Sequence, residues 1–129
     1  AFTFDQDGVG DAGSFVVIGK LPPGRVKILG GLSQFYCNFT AGSQTIDIGW
    51  QAYEDLDGTA VALDVDGMID GLDVDAVGYF DMQGNTAATK LLGGNHTFTS
   101  KAGVVITVKA IGALADGDDL AGVITYIVD

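Results

Sequence analysis

Asp-Gly pairs are the feature that most limits how this 129-residue chain can fold. The Asp side chain accepts a hydrogen bond from the nearby backbone and the Gly adopts positive φ without steric cost, so each pair favours a tight turn. Of the 17 acidic residues only Glu54 is a glutamate, whereas Val, Ile, Thr and Gly are common. This combination predicts short strands joined by tight turns. The five pairs are Asp7-Gly8, Asp57-Gly58, Asp66-Gly67, Asp70-Gly71 and Asp116-Gly117.

Apolar alternation and β-branched runs locate the strands. Residues 15–21 are predicted to form a strand that Pro22-Pro23-Gly24 ends, and residues 25–39 a strand region with a bulge or bend at Gly30-Gly31. Apolar residues alternate over 45–53, which is typical of a half-buried strand. Further strands are predicted at 87–92, 96–99, 104–111 and 120–128, with turns at Gly93-Gly94, Ala102-Gly103 and Asp116-Gly117.

The fold class predicted from this pattern is all-β, a single β-sandwich or jelly-roll-like domain over residues 14–129. Residues 1–13 are predicted to be an irregular N-terminal arm, although Phe2 and Phe4 alternate with Thr3, so its tip can pair as a strand. Residues 54–67 are predicted to be loop or strand. A short helix is expected near 68–77, where apolar residues have helical spacing.

The charge balance argues against nucleic-acid and membrane partners. A formal net charge of -11 repels phosphates and anionic lipid surfaces, and no apolar run reaches membrane-spanning length. The hydrophobic fraction of 47% suffices for a core without a metal, a disulfide or another cofactor. Cys37, the single cysteine, has no second thiol to pair with and is expected to be a small buried apolar residue beside Tyr36 and Phe39.

Calcium is the small ligand that the acidic segments suggest. Asp55, Asp57 and Asp64 fall at the spacing of ligands in an EF-hand loop, and Asp64 and Asp66 begin a repeat of that spacing. The first ligand, the bidentate glutamate and the flanking helices of such a loop are missing. Solvated turns are therefore the favoured interpretation, and a weaker calcium site at Asp55, Asp57, Asp64 and Asp66 is the alternative.

Catalysis is not expected of this chain. His96 is the only histidine, and the residues around it form no nucleophile elbow. The aromatic residues could form a sugar-binding platform, above all Trp50 together with Tyr53 if both are exposed. We expect most of them to lie in the core, as in other small sandwiches.

Two segments resemble small virion proteins of tailed bacteriophages. Residues 18–31 read Ile-Gly-Lys-Leu-Pro-Pro-Gly-Arg-Val-Lys-Ile-Leu-Gly-Gly, and residues 45–50 read Thr-Ile-Asp-Ile-Gly-Trp. In those proteins a strand ends in an LPAG-like turn, and a TLDIGT-like strand precedes an Asp-rich segment. Residues 122–126 resemble their last strand. Pro23 and Trp50 stand where smaller residues are more familiar.

The resemblance implies a capsid decoration, or cement, protein. Such a protein is a β-sandwich, often a homotrimer, that binds the outer surface of the virion and stabilises contacts between subunits of the major capsid protein. The N-terminal arm would then lie along a capsid subunit, where Phe2 and Phe4 would add a strand and serve as partner-binding residues. A carbohydrate-binding or adhesin-like module, with or without calcium, is the alternative, and a structural domain of a larger surface or tail assembly is another.

Overall fold

Strands make up nearly all of the regular structure. A computed structural model describes residues 1–40, 44–83 and 95–129, and within these ranges the one helical segment is a 3-10 turn at Gly30–Leu32. The predicted all-β fold class is confirmed. The strands are β1 (Phe2–Asp5), β2 (Phe15–Leu21), β3 (Gly24–Leu29), β4 (Gln34–Asn38), β5 (Thr45–Trp50), β6 (Tyr53–Glu54), β7 (Ala60–Val61), β8 (Asp64–Asp73), β9 (Gly78–Asp81), β10 (Asn95–Ser100), β11 (Val104–Ala110), β12 (Asp119–Val123) and β13 (Tyr126–Val128).

Three antiparallel sheets pack against each other in a sandwich-like arrangement. Sheet A has the strand order β1-β12-β4-β9, sheet B has β2-β11-β5-β8, and sheet C has β10-β3-β13. The strands β6 and β7 form a separate small hairpin. Side chains alternate between the two faces of each strand, so one face of each sheet supplies the core. Five core side chains have no exposed surface, namely Ile28, Cys37, Ile46, Ile48 and Ile106.

Most of the predicted strands are present. The strand over 15–21 ends at Leu21 before the two prolines, and those over 96–99 and 104–111 correspond to β10 and β11. The strand expected over 120–128 divides into β12 and β13. The strand predicted at 87–92 and the turn at Gly93-Gly94 lie outside the described residues. Within the described ranges, no helix is long and apolar enough to cross a membrane.

The short helix expected near 68–77 is wrong, because the chain continues there as β8 through Asp73. β8 pairs with β5, but the register between the two strands shifts at two points. Such irregularities change which face a side chain occupies, and the adjacent residues Met68 and Ile69 are both buried. The interrupted alternation of apolar residues imitates the spacing of a helical face. At Gly71 (φ 65°) the N–H donates to the buried Asp47 carboxylate at 2.8 Å.

A shared bend joins sheets A and C. β3 leads into β4 through the 3-10 turn, while the antiparallel partner β12 leads into β13. Ser33, which is fully buried, joins the β3–β4 connection to the β12–β13 connection. Its hydroxyl lies 3.0 Å from the carbonyl oxygen of Leu29 and accepts a hydrogen bond from the N–H of Thr125 at 2.9 Å. The break predicted at Gly30-Gly31 is therefore this bend.

The N-terminal segment is hydrogen-bonded to its own domain. Its tip forms β1, which pairs with β12 as an edge strand of sheet A. The irregular part that follows lies along the loop before β12. There the N–H of Gln6 donates to the carbonyl oxygen of Asp118, and the N–H of Gly10 donates to that of Leu114, both at 2.9 Å.

Asp118 connects this loop to the end of β4. Its carboxylate is fully buried and accepts three hydrogen bonds. The donors are the N–H and hydroxyl of Thr40, at 2.8 and 2.9 Å, and the N–H of Ala115 at 2.8 Å. Because a buried carboxylate must have its hydrogen bonds satisfied within the protein, this one side chain fixes a loop and a strand end together.

Replacing Asp118 by Ala should lower the free energy of unfolding by about 3 kcal/mol, because three donors lose a charged acceptor in a buried site. Urea unfolding followed by tryptophan fluorescence measures the change. The matched control is Asp116→Ala, which removes a single exposed bond to the N–H of Gly8 and should cost below about 1 kcal/mol. Equal losses in the two variants would contradict this role of Asp118.

Cys37 lies in the core as expected, with no exposed surface. Burial raises the pKa of its thiol to about 12, and the thiolate is the reactive form. We therefore expect no reaction with an aromatic disulfide reagent in native buffer at mildly alkaline pH, and complete reaction of one thiol in denaturant. Rapid labelling of the folded protein would show that Cys37 is accessible.

Candidate functional site

The four acidic residues considered for calcium divide between two places. Asp55 and Asp57 lie in the β6–β7 hairpin, where their carboxylates accept hydrogen bonds from backbone N–H groups two residues further on. Donors on Thr59 lower the pKa of Asp57. These contacts are those of solvated turns. In the part of the chain that the structure describes, no group of three or more His, Cys, Asp or Glu side chains could hold a metal ion.

Asp64 and Asp66 lie together on β8, separated by Val65. Burial, together with the neighbouring Asp66 carboxyl, raises the pKa of Asp64 above its usual range. Two adjacent carboxyl groups alone supply too few oxygen ligands for calcium, which takes six or more. The calcium hypothesis therefore gains no support from their placement.

Trp50 and Tyr53 belong to an aromatic cluster that faces inward. Trp50 is 8% exposed, and its ring centroid lies 4.8 Å from that of His96 and 5.2 Å from that of Phe98. Tyr53 packs edge-on against Phe98 at 5.9 Å. A sugar-binding platform on Trp50 and Tyr53 is not present, because the indole is covered by its neighbours.

His96 sits within this cluster, and burial lowers the pKa of its imidazole below the usual range. A histidine that is harder to protonate in the folded than in the unfolded protein contributes stability above its unfolded pKa. That stability is lost as the pH falls from this value toward the folded pKa.

We expect the free energy of unfolding to fall between about pH 7.5 and pH 5.5, a range in which few carboxyl groups titrate. The free energy of unfolding of the variant His96→Gln should fall less over the same pH range, because the substitution removes the titrating imidazole. Urea unfolding of both proteins at several pH values provides the comparison. Parallel pH profiles would contradict this role of His96.

Phe2 and Phe4, predicted to contact a partner, alternate with exposed residues along β1. Both are partly buried and pack against the protein's own core. Phe2 and Phe4 also line surface grooves, so their contact with a partner stays a prediction. The structure exposes further side chains of the same sheet.

The outer face of sheet A carries two neighbouring tyrosines, which we call the tyrosine face. Tyr36 on β4 and Tyr79 on β9 are paired in register, and their ring centroids are 5.2 Å apart at an interplanar angle of 51°. Tyr79 is 84% exposed. Across the sheet from Tyr36, Ala121 on β12 and then Thr3 on β1 are paired in register, and both have small side chains. The tyrosine rings therefore project further from the sheet than these neighbours.

Two shallow grooves flank the tyrosine face. One, of about 480 Å³, is lined by Tyr36 and Tyr79 together with Gln34 and Val123. The other, of about 310 Å³, lies between Tyr36 and the paired residues Asp5 and Asp119. The four strands of sheet A contain no lysine or arginine. The face thus has an aromatic centre with an acidic rim.

Sequence reasoning missed the tyrosine face because it assigned the aromatic residues to the core as a group. The sequence pattern that places Tyr36 on the outer face is present, because its neighbours Phe35 and Cys37 are apolar and are buried. Strict alternation then directs Tyr36 outward. Phe80 stacks on Phe35 at 5.6 Å, which directs its neighbour Tyr79 outward in the same way.

Comparison with known proteins found no matching family model, no similar curated protein and no similar solved structure.

Proposed function

We propose that this chain is a non-enzymatic structural protein that binds another protein through the tyrosine face. The observation that carries the proposal is the tyrosine pair, in which Tyr79 is 84% exposed and Tyr36 is half-buried beside it, next to an acidic rim. Protein interfaces concentrate their binding energy in a few aromatic residues surrounded by polar groups. The rim favours a partner surface with lysine or arginine side chains next to an apolar centre.

The specific partner that we propose is the major capsid protein of a tailed bacteriophage, bound at the outer surface of the virion. The support is the resemblance of residues 18–31 and 45–50 to small virion proteins. Those residues form the second half of β2, the whole of β3, the start of the 3-10 turn and the whole of β5. A small rigid domain bound at many symmetric sites can stabilise a shell through avidity even when each contact is weak.

A carbohydrate-binding module is the second candidate, and the same two tyrosines favour it. Sugar rings stack their C–H faces on exposed aromatic rings, and Gln34 and Asp119 offer hydrogen-bonding groups beside them. The tilt of 51° between the rings leaves a single tyrosine available to each sugar. We favour the protein partner because carboxylates in the rim attract basic side chains over a longer range, whereas with a neutral sugar they form only local hydrogen bonds.

Tyr79→Ala should weaken binding to undecorated heads assembled from the phage's major capsid protein by at least about tenfold, with little effect on folding. Co-sedimentation over a concentration series measures binding. The control is Leu56→Ala, which removes another exposed apolar side chain, from the β6–β7 hairpin, and should bind normally. Light scattering of the free protein should give three times 13.3 kDa, the mass of the proposed trimer.

Two results would overturn the proposal. The first is unchanged binding by Tyr79→Ala, and the second is the absence of any binding to heads by the unaltered protein. Binding to a glycan array that Tyr79→Ala abolishes, together with no binding to heads, would establish the carbohydrate-binding candidate instead.

A further inference from the structure

The long strand formed by β12 and β13 is covered along only part of its outer edge. β1 pairs with β12 from Asp119 to Gly122. β13 has β3 on one side, and among the described residues no strand lies on its other side. Because β1 and β12 are antiparallel, the line of β1 extended beyond Phe2 runs along β13. A strand placed there would continue the edge that β1 begins.

Backbone hydrogen bonds show which groups of β13 point to this free edge. The carbonyl oxygen of Thr125 accepts from the N–H of Leu29 at 2.9 Å, and the N–H of Asp129 donates to the carbonyl oxygen of Arg25 at 3.0 Å. Backbone groups alternate in direction along a strand. Those of Ile127 therefore face β3, whereas the N–H and carbonyl groups of Tyr126 and Val128 face away from it.

The side chains of β13 are unusual for an exposed edge. Tyr126, Ile127 and Val128 are 42%, 49% and 57% exposed. Sheet edges that remain free in solution are usually protected by lysine, proline, a bulge or a short length; β13 is short, with three residues, but contains no lysine or proline. An apolar edge of this kind matches the surface that accepts an added strand from a partner.

A groove of about 240 Å³ continues this edge toward β2. Ile18, Gly19 and Lys20 line one side of it, and Ile124 and Tyr126 line the other. β2 is itself an edge strand of sheet B. At Gly19 a Cβ atom would lie 3.3 Å from Cδ1 of Ile124, so a larger residue would narrow the groove.

The charge around the groove differs from that of the rest of the protein. Three of the six basic residues lie on β2 and β3, namely Lys20, Arg25 and Lys27. Arg25 pairs with Asp129 at 3.0 Å. Lys20 and Lys27 form no ion pair with a carboxylate in the described part of the chain. Lys27 lies in register with Ile127 on the neighbouring strand β3, one strand in from the free edge.

We propose that β13 accepts an extended, acidic segment of a partner protein as an added strand. Backbone groups of Tyr126 and Val128 bind its main chain, the three apolar side chains of β13 contact its alternate residues, and Lys20 and Lys27 attract its carboxylates. A second copy that pairs through its own β13 is the less favourable occupant, since Tyr126–Val128 carries no carboxylate for Lys20 and Lys27. This inference concerns a surface separate from the tyrosine face and stands independently of the proposed function.

The probe is a short synthetic peptide, blocked at both ends, in which valine alternates with threonine or glutamate. Amide hydrogen exchange of the full chain, followed by NMR during a peptide titration, reports on each strand residue. The amides of Tyr126 and Val128 should exchange at least about fivefold more slowly when peptide is bound, while that of Ile127, already bonded to β3, should change little. A peptide of the same composition without the alternation, and one with lysine in place of glutamate, should bind more weakly.

Val128→Pro removes the outward N–H and is tolerated at an edge position, so it should fold and bind the peptide at least about fivefold more weakly. The control Val128→Ala keeps the N–H and should bind more tightly than the proline variant. A thermal unfolding curve shows whether each variant is folded. Binding of the lysine peptide to the unaltered protein tests the preference for an acidic segment without any substitution in the protein.

Three results would overturn the inference. One is the absence of protection at Tyr126 and Val128 up to the solubility limit of the peptide. Another is equal binding by the proline and alanine variants, both folded. The third is protection that rises with protein concentration without peptide, which would identify a second copy as the occupant. Tyr79→Ala should leave peptide binding unchanged, so failure here is distinguishable from failure of the proposed function.

Discussion

Hydrogen bonds from backbone N–H groups to aspartate carboxylates hold the connections between the strands. The buried carboxylates of Asp47 and Asp118 bind the bend of β8 and the end of β4, and Asp57 closes the β6–β7 hairpin. In the tight turns a short side chain suits this task, because it reaches the backbone two residues away with few rotamers to fix, as in Asp55 and Asp57. The near absence of glutamate fits the same constraint. The high negative charge is thus partly a consequence of how the turns are built.

Local pattern predicted most strands, because a strand with one buried face alternates in sequence. β5 and β11 have buried apolar residues at alternate positions, but Asp47 and Thr107 on their other faces are buried as well, so the half-buried strand expected over 45–53 is buried on both faces. β8 was missed since its pairing with β5 contains register shifts, and a bulge depends on the partner strand as much as on the strand itself. The tyrosine face was open to prediction from Phe35 and Cys37. The free edge of β13 was not, because strand order depends on pairing between distant segments.

Both proposed binding surfaces involve the paired segments β3–β4 and β12–β13. The tyrosine face belongs to β4 and its neighbours, and the free edge belongs to β13, with the Ser33 bend between them. Their charges are unlike, since sheet A lacks basic residues and the surroundings of β13 hold Lys20 and Lys27. A change in the bend would therefore alter the angle between an acidic aromatic surface and a more basic strand edge.

The pairing of β1 with β12 has a consequence for how the protein folds. Phe2 lies opposite Gly122, so this pair of strands closes a loop that includes almost the whole sequence. Loops of that length are costly to close early, and domains dominated by such distant pairings fold in milliseconds to seconds. During synthesis β1 must wait for β12, with one apolar face uncovered. Its short length and the acidic residues that follow limit the chance of aggregation in that interval.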